Sequence, residues 1–148
     1  MTAGTIAGLL DECAAGRPDR PLLRDVAGET LTVSQVARLA SAAAAWLADA
    51  GVRAGMTVAW QLPSHTNAAV VMLALARMPV VQAPVLHLYR RREVCAALDV
   101  AHADILLVDE STAANAAPGI PTVTVPADLI RRLETSPASA RKSTGSPA

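Results

Sequence analysis

From Thr57 to Val108, short apolar runs alternate with longer stretches of helical length. Thr57–Leu62 is short, starts with the β-branched pair Thr57 and Val58, and meets Pro63, which predicts a strand. Thr66–Met78 is too long for a strand and is nearly all Ala, Val, Met and Leu, so it reads as a helix buried on most sides. Val80–Ala83, closed by Pro84, and Asp104–Val108 read as further strands. Strand, helix, strand, helix, strand is the order of βαβ units on a parallel sheet. These runs hardly alternate in polarity, as expected of strands covered on both faces. The predicted fold class is α/β, a parallel sheet flanked by helices.

The flanks carry capping and turn patterns. Thr2–Ala15 reads as a short helix with Thr5 or Thr2 as cap, Ile6, Leu9 and Leu10 on one face, and Gly16 at its end. Leu22–Val26 and Glu29–Leu31 flank Ala27-Gly28 and predict a small hairpin, with Gly28 supplying the positive φ. Thr32 followed three residues later by Gln35 is a capping-box pattern. The helix it opens runs to about Ala50, with Val36, Leu39, Ala40, Ala43 and Leu47 on one face and Gly51 as a left-handed cap. Beyond the central stretch, Arg91–Ala101 predicts a helix with Val94, Ala97, Leu98 and Ala101 inward. Thr112–Ala117 allows one or two helical turns, Thr122–Val125 a fourth parallel strand, and Ala127–Leu133 a short helix. Residues 1–134 form one unit in this reading. Residues 135–148 are rich in Ser, Pro and Ala without apolar periodicity and read as a disordered tail.

Composition narrows the function classes. A chain of 148 residues, 52% hydrophobic and of zero net charge, has no electrostatic pull towards nucleic acid or anionic lipid. With no Phe, two Trp and one Tyr, it offers few platforms for stacking bases. Its core must be built from Ala, Val and Leu, and Ala buries little area, so the hydrophobic fraction overstates the available stability. The start of the chain has neither a basic segment nor an apolar stretch of signal-peptide length, and the longest apolar run, Ala68–Ala76, stops at Arg77. Cys13 and Cys95 are too few for a disulfide framework or a Cys-x-x-Cys site. They read as reduced thiols, and a cytoplasmic location is expected.

Candidate chemistry is sparse. His65, His87 and His102 lack ligand spacing and have no acidic or Cys partner three or four residues further on. Arg90-Arg91-Arg92 has the charge to meet phosphates, but at a helix start it reads first as a solvated triplet relieved by Glu93. Ser41 and Ser64 sit in no Gly-x-Ser-x-Gly elbow. Asp109-Glu110 follows a strand end, where α/β sheets bind ligands, and reads first as a plain polar loop. Trp46 and Trp60 read as packing residues. No residue is assigned a catalytic, cofactor-binding or metal-ligating role.

A resemblance rests on the order of several segments. These are Pro21-Leu22-Leu23-Arg24-Asp25, Gly28-Glu29-Thr30-Leu31-Thr32, the long Ala-rich helix, and Ala50-Gly51-Val52-Arg53-Ala54-Gly55-Met56-Thr57-Val58-Ala59-Trp60-Gln61-Leu62-Pro63. Leu73-Ala74-Leu75-Ala76-Arg77-Met78-Pro79-Val80-Val81-Gln82-Ala83-Pro84 and Tyr89-Arg90-Arg91-Arg92-Glu93-Val94 follow. Together they resemble the start of the adenylate-forming (AMP-dependent synthetase/ligase) superfamily, in its acyl-CoA synthetase branch, over Leu22 to Val108. The resemblance implies a partial, Rossmann-like sheet, the first subdomain of a ligase large domain. It implies fatty acid metabolism or a related use of ATP, magnesium and coenzyme A in the complete enzyme. There a carboxylate attacks the α-phosphate of ATP to give an acyl-adenylate and pyrophosphate, and a thiol then takes the acyl group.

The same resemblance implies what this chain lacks. The family's Ser/Thr/Gly-rich phosphate loop, magnesium-binding Glu, ribose-binding Asp and late catalytic Lys have no match here. Ser143-Thr144-Gly145-Ser146-Pro147-Ala148 echoes the phosphate loop, but Ala148 stands where Lys belongs and no strand precedes it. Pro79 replaces a usual Gly, Met56 an Asp and Ser64 an Asn. The expectation is a truncated ligase, inactive alone, that self-associates or needs a complementary downstream chain. The alternative is a free-standing α/β binding or interaction module without chemistry.

Overall fold

The computed structural model describes residues 4–136. The expected tail beyond Ser136, including the Ser143–Ala148 echo, lies outside the described residues. Strand β3 (Thr57–Gln61) sits inside a four-stranded parallel sheet of order β4-β3-β5-β6, with β4 at Val81–Pro84, β5 at Ile105–Val108 and β6 at Thr122–Thr124. Val58 pairs with Gln82 on one side and Ile105 on the other, and Leu107 pairs with Val123. The four expected strands are all present, each shifted or shortened by a residue or so at its ends.

The strands alternate even though their sequences do not. Val58, Ile105 and Leu107 face α2 (Val33–Asp49), α3 (Thr66–Leu75) and α5 (Leu129–Glu134). Ala59, Leu106 and Val108 face Val94 and Leu98 of α4 (Arg91–Ala101). Both faces are thus apolar, as a covered parallel sheet requires. The edge strand β4 departs from this, with Val81 and Pro84 exposed; Pro84 is tolerated there because an edge strand leaves one row of N–H groups unpaired.

Outside α2 lies a second cluster in which Leu10 of α1 (Ile6–Gly16) packs on Val33, Val36 and Ala40. Thr5 caps α1, its Oγ1 accepting from Gly8 N at 2.9 Å. The antiparallel hairpin of β1 (Pro21–Arg24) and β2 (Thr30–Thr32) turns through Gly28 at φ 90°. Thr32 and Gln35 form the capping box, and all five predicted core positions of α2 are buried.

Helix α3 ends three residues before the expected Met78. Pro79 disfavours helical backbone at the residue before it, so Arg77 and Met78 close the helix with tight bonds to Ala74 O and Leu75 O. Arg77 is turned back onto α1, where its guanidinium pairs with Asp11. The expected turns at Thr112–Ala117 reduce to a single 3-10 turn, Ala113–Asn115. No helix among the described residues is long and apolar enough to cross a membrane.

Candidate functional site

Helix α3 returns the chain from β3 to β4 on one face, and α4 returns it from β4 to β5 on the other. The connections therefore diverge between β3 and β5, and at such a switch point the carboxyl ends of the strands open a crevice. A cleft of about 760 Å³ lies there. Its walls come from the segment after β3 (Leu62, Pro63, His65), the segment after β5 (Asp109, Glu110, Ser111), α5 and the hairpin.

A network of side-chain hydrogen bonds organises the strand ends. Gln61 is fully buried at the last position of β3. Its Nε2 donates to Leu86 O at 3.0 Å and Tyr89 O at 2.9 Å, and Oε1 accepts from Asn115 Nδ2 at 3.4 Å. Buried Thr112 donates from Oγ1 to Gln61 O at 2.8 Å. Asn67, in the first turn of α3, donates to Ala127 O at 3.0 Å and so tethers the segment after β6. These amides and hydroxyls bond a carbonyl at the end of β3 and carbonyls of the loops that follow β4 and β6. The sequence reading gave Gln61, Asn67, Thr112 and Asn115 no role. The single trace of them is a carboxamide interrupting an otherwise apolar strand.

Asp109 is a turn-former. Its Oδ1 accepts from Ser111 N at 2.9 Å, Ser111 Oγ at 2.6 Å and Thr112 N at 3.1 Å. Burial opposes its ionisation, but the donors from Ser111 and Thr112 outweigh burial and hold the carboxyl below its ordinary value. A depressed folded pKa means stability that is present above the unfolded pKa of about 3.9 and lost as pH falls through the folded value. Asp109→Asn is expected to cost about 1 kcal/mol at pH 7, discounted for partial solvent exposure, and nothing once the wild-type carboxyl is protonated. Urea unfolding of both proteins at neutral pH and at successively more acidic pH checks this; a gap that does not narrow as the pH falls below the ordinary carboxylate range would contradict the carboxylate's role.

The other sequence candidates scatter. His65 borders the cleft, His87 lies in the exposed loop after β4, and His102 is the left-handed C-cap of α4 at φ 50°. Among the described residues no group of His, Cys, Asp and Glu could hold a metal ion. Arg90–Arg92 are exposed; Arg90 N donates to Glu93 Oε2 at 3.1 Å and Arg91 Nε to Ala116 O at 3.2 Å. Ser64 is exposed, and Trp60 donates from Nε1 to Gln82 Oε1 at 3.1 Å.

The residue matching that settles membership covers nearly the whole chain: the AMP-binding enzyme family model matches residues 10–147. The chain belongs to the AMP-binding enzyme family. Among individual relatives of this family, the medium-chain fatty-acid–CoA ligase of Escherichia coli (strain K12) is 28% identical over 130 residues, 88% of this chain and 21% of that one. The N-terminal subdomain of NpsA from Klebsiella oxytoca, solved in complex with 3-hydroxybenzoyl-AMSN, superposes with a TM-score of 0.76 at 25% identity, covering 89% of this chain and 32% of that one. The N-terminal domain of FACL13 from Mycobacterium tuberculosis superposes with a TM-score of 0.79 at 21% identity, over 92% of this chain and 37% of that one. The fold is thus that of part, about a third, of the N-terminal subdomain of adenylate-forming enzymes. The chain spans between 21% and 37% of the length of these relatives' chains.

The residues of the cleft do not fit the phosphates of ATP. Six carboxylates line it, from Asp25, Glu29, Asp109, Glu110, Asp128 and Glu134, against one guanidinium, from Arg131. Phosphate sites in this kind of chemistry need the opposite balance, with positioned cations and backbone donors.

Proposed function

We propose that this chain is an N-terminal fragment of an ATP-dependent acid–thiol ligase that activates a carboxylic acid as acyl-AMP and forms its coenzyme A thioester. The family match across residues 10–147 carries the reading, because the relative it aligns with over 88% of its length is itself named a CoA ligase. ATP, magnesium and coenzyme A are the complete enzyme's cofactors and substrates. Coenzyme A supplies the accepting thiol, and the exposed guanidinium groups of Arg90–Arg92 have the chemistry to hold its phosphates. Free thiols at Cys13 and Cys95 accord with a cytoplasmic setting.

This chain by itself performs no adenylation in our reading. Its contribution is a scaffold: a buried amide network that fixes the strand ends, beside a cleft whose carboxylates repel a triphosphate. The reacting groups belong to the part of the longer relatives that it does not span. The experiment has two arms. Purified chain should give no carboxylate-dependent ATP–pyrophosphate exchange across a panel of aliphatic and aromatic acids; exchange above the blank would defeat the claim of inactivity. Grafted in place of the matching segment of the Escherichia coli ligase, the chain should retain acid-, ATP- and coenzyme A-dependent thioester formation. A folded chimera with no activity would defeat the ligase reading.

A further inference from the structure

One peptide group, between Tyr89 and Arg90, is gripped from both sides. Its carbonyl, Tyr89 O, accepts from Gln61 Nε2 at 2.9 Å and from Asn115 Nδ2 at 3.1 Å. Its N–H, on Arg90, donates to Glu93 Oε2 at 3.1 Å. The neighbouring groups are held as well. Gln61 Nε2 also donates to Leu86 O at 3.0 Å, and Arg91 Nε donates to Ala116 O at 3.2 Å. The start of α4 is therefore anchored by β3, by the 3-10 turn and by its own first turn.

The need to satisfy carbonyls does not account for Gln61. Leu86 O already accepts from Tyr89 N at 3.0 Å, and Tyr89 O has the amide of Asn115. Leu86 and Tyr89 are 52% and 41% exposed, so water reaches this loop. Gln61 itself is fully buried, and burying a carboxamide has a desolvation cost that an apolar residue would avoid. What the amide adds is direction. Its two protons fix two carbonyls, and with them the plane of the peptide that leads into Arg90.

Arg90-Arg91-Arg92 follow that peptide. All three are exposed, and none is in an ion pair among the described residues. A long cationic side chain on a mobile loop loses much freedom when it grips a phosphate; one on a fixed backbone loses less. We propose that Gln61, seconded by Asn115, is a positioning residue for phosphate binding by Arg90–Arg92. It does not touch the ligand and sets its affinity by fixing the peptide from which the three arginines run. The identity of the ligand, the phosphates of coenzyme A, rests on the ligase reading above.

Amide NMR of the 148-residue chain tests this directly. Coenzyme A is added up to about 10 mM, enough to register a Kd near ~1 mM, and pantetheine, which lacks the phosphates, is the control. Coenzyme A should shift amides between Leu86 and Glu93, and pantetheine should not. Gln61→Leu should weaken coenzyme A binding by about fivefold, the scale of ordering one long side chain. Asn115→Ala removes one of the two donors to Tyr89 O. It should weaken binding by less, and it serves alone should Gln61→Leu fail to fold. In the Escherichia coli ligase chimera, Gln61→Leu should raise KM for coenzyme A by a similar factor. It should leave kcat and the KM values for acid and ATP as they were, a split that general destabilisation does not produce. Coenzyme A that shifts none of these amides overturns the proposal, and so do folded variants that bind it as tightly as the wild type. The two readings fail separately. A folded, inactive chimera with binding intact in the chain defeats the ligase reading alone. An active chimera whose KM for coenzyme A ignores both variants defeats the positioning role alone.

Discussion

Gln61→Leu is expected to destabilise the protein by about 2 kcal/mol, although it makes an apolar strand more apolar. A Leu side chain has similar bulk and suits β3, so packing alone favours the change. The cost comes from what Gln61 leaves behind. Its two Nε2 protons serve Leu86 O at 3.0 Å and Tyr89 O at 2.9 Å, and the longer approach to His87 O at 3.4 Å can only share one of them. Without the amide each carbonyl loses one of two donors: Leu86 O keeps Tyr89 N at 3.0 Å and Tyr89 O keeps Asn115 Nδ2 at 3.1 Å. Each lost hydrogen bond costs about 1 kcal/mol, and Asn115 loses an acceptor as well. The loop from Val85 to Arg90 should then loosen, because Gln61 and Asn115 are what hold its carbonyls. A shift in the urea midpoint with unchanged slope, together with faster amide exchange at residues 86–90, is the expected result. A loss below about 1 kcal/mol would mean that water replaces the amide without penalty.

Leu107→Ala should cost about 3–4 kcal/mol, which is comparable to much of the 5–15 kcal/mol that holds an ordinary domain together. Leu107 is fully buried on β5, which like β3 is paired on both sides, and faces the cluster shared by α2, α3 and α5. Removing it leaves a void among residues that cannot collapse inward easily, since strands and helices fix their backbones. Ala40, Ala43, Ala59 and Ala74 are fully buried yet bring little area each, so the buried leucines carry a large share of the burial. Val100→Ala, at a position 83% exposed, is the control and should change stability by less than about 0.5 kcal/mol. Equal losses at the two positions would contradict the assignment of the core.

Much of the fold was legible along the chain, for identifiable local reasons. The capping box at Thr32 and Gln35 starts α2 where it was expected, and Gly51 takes its left-handed conformation at φ 115°. The order of apolar runs and Ala-rich stretches predicted a parallel sheet, because strands joined by helices cannot pair as hairpins. Boundaries were less legible where two local influences compete. Thr66–Met78 has helical composition throughout, and only the constraint of Pro79 on its predecessors ends α3 at Leu75. His102 as a left-handed cap had no sequence sign, since Gly or Asn usually marks that place.

The candidate site was the least legible part. Nothing local marks Gln61 as the residue that holds a loop 25 to 28 positions away, or Thr112 as donor to a carbonyl 51 positions back. The sequence by itself determined the class of fold, the family and the stock of side chains, because propensity, apolar period and ordered motifs are properties of neighbours along the chain. Only the tertiary structure decided that β5 divides its four consecutive apolar residues between two clusters. It also decided that β4 is an edge, that six carboxylates converge on one cleft, and that Ile6, Leu9 and Met72 share an exposed face. The reason is the same in each case: strand order and helix side bring together residues with no local influence on one another, and burial and charge depend on that placement.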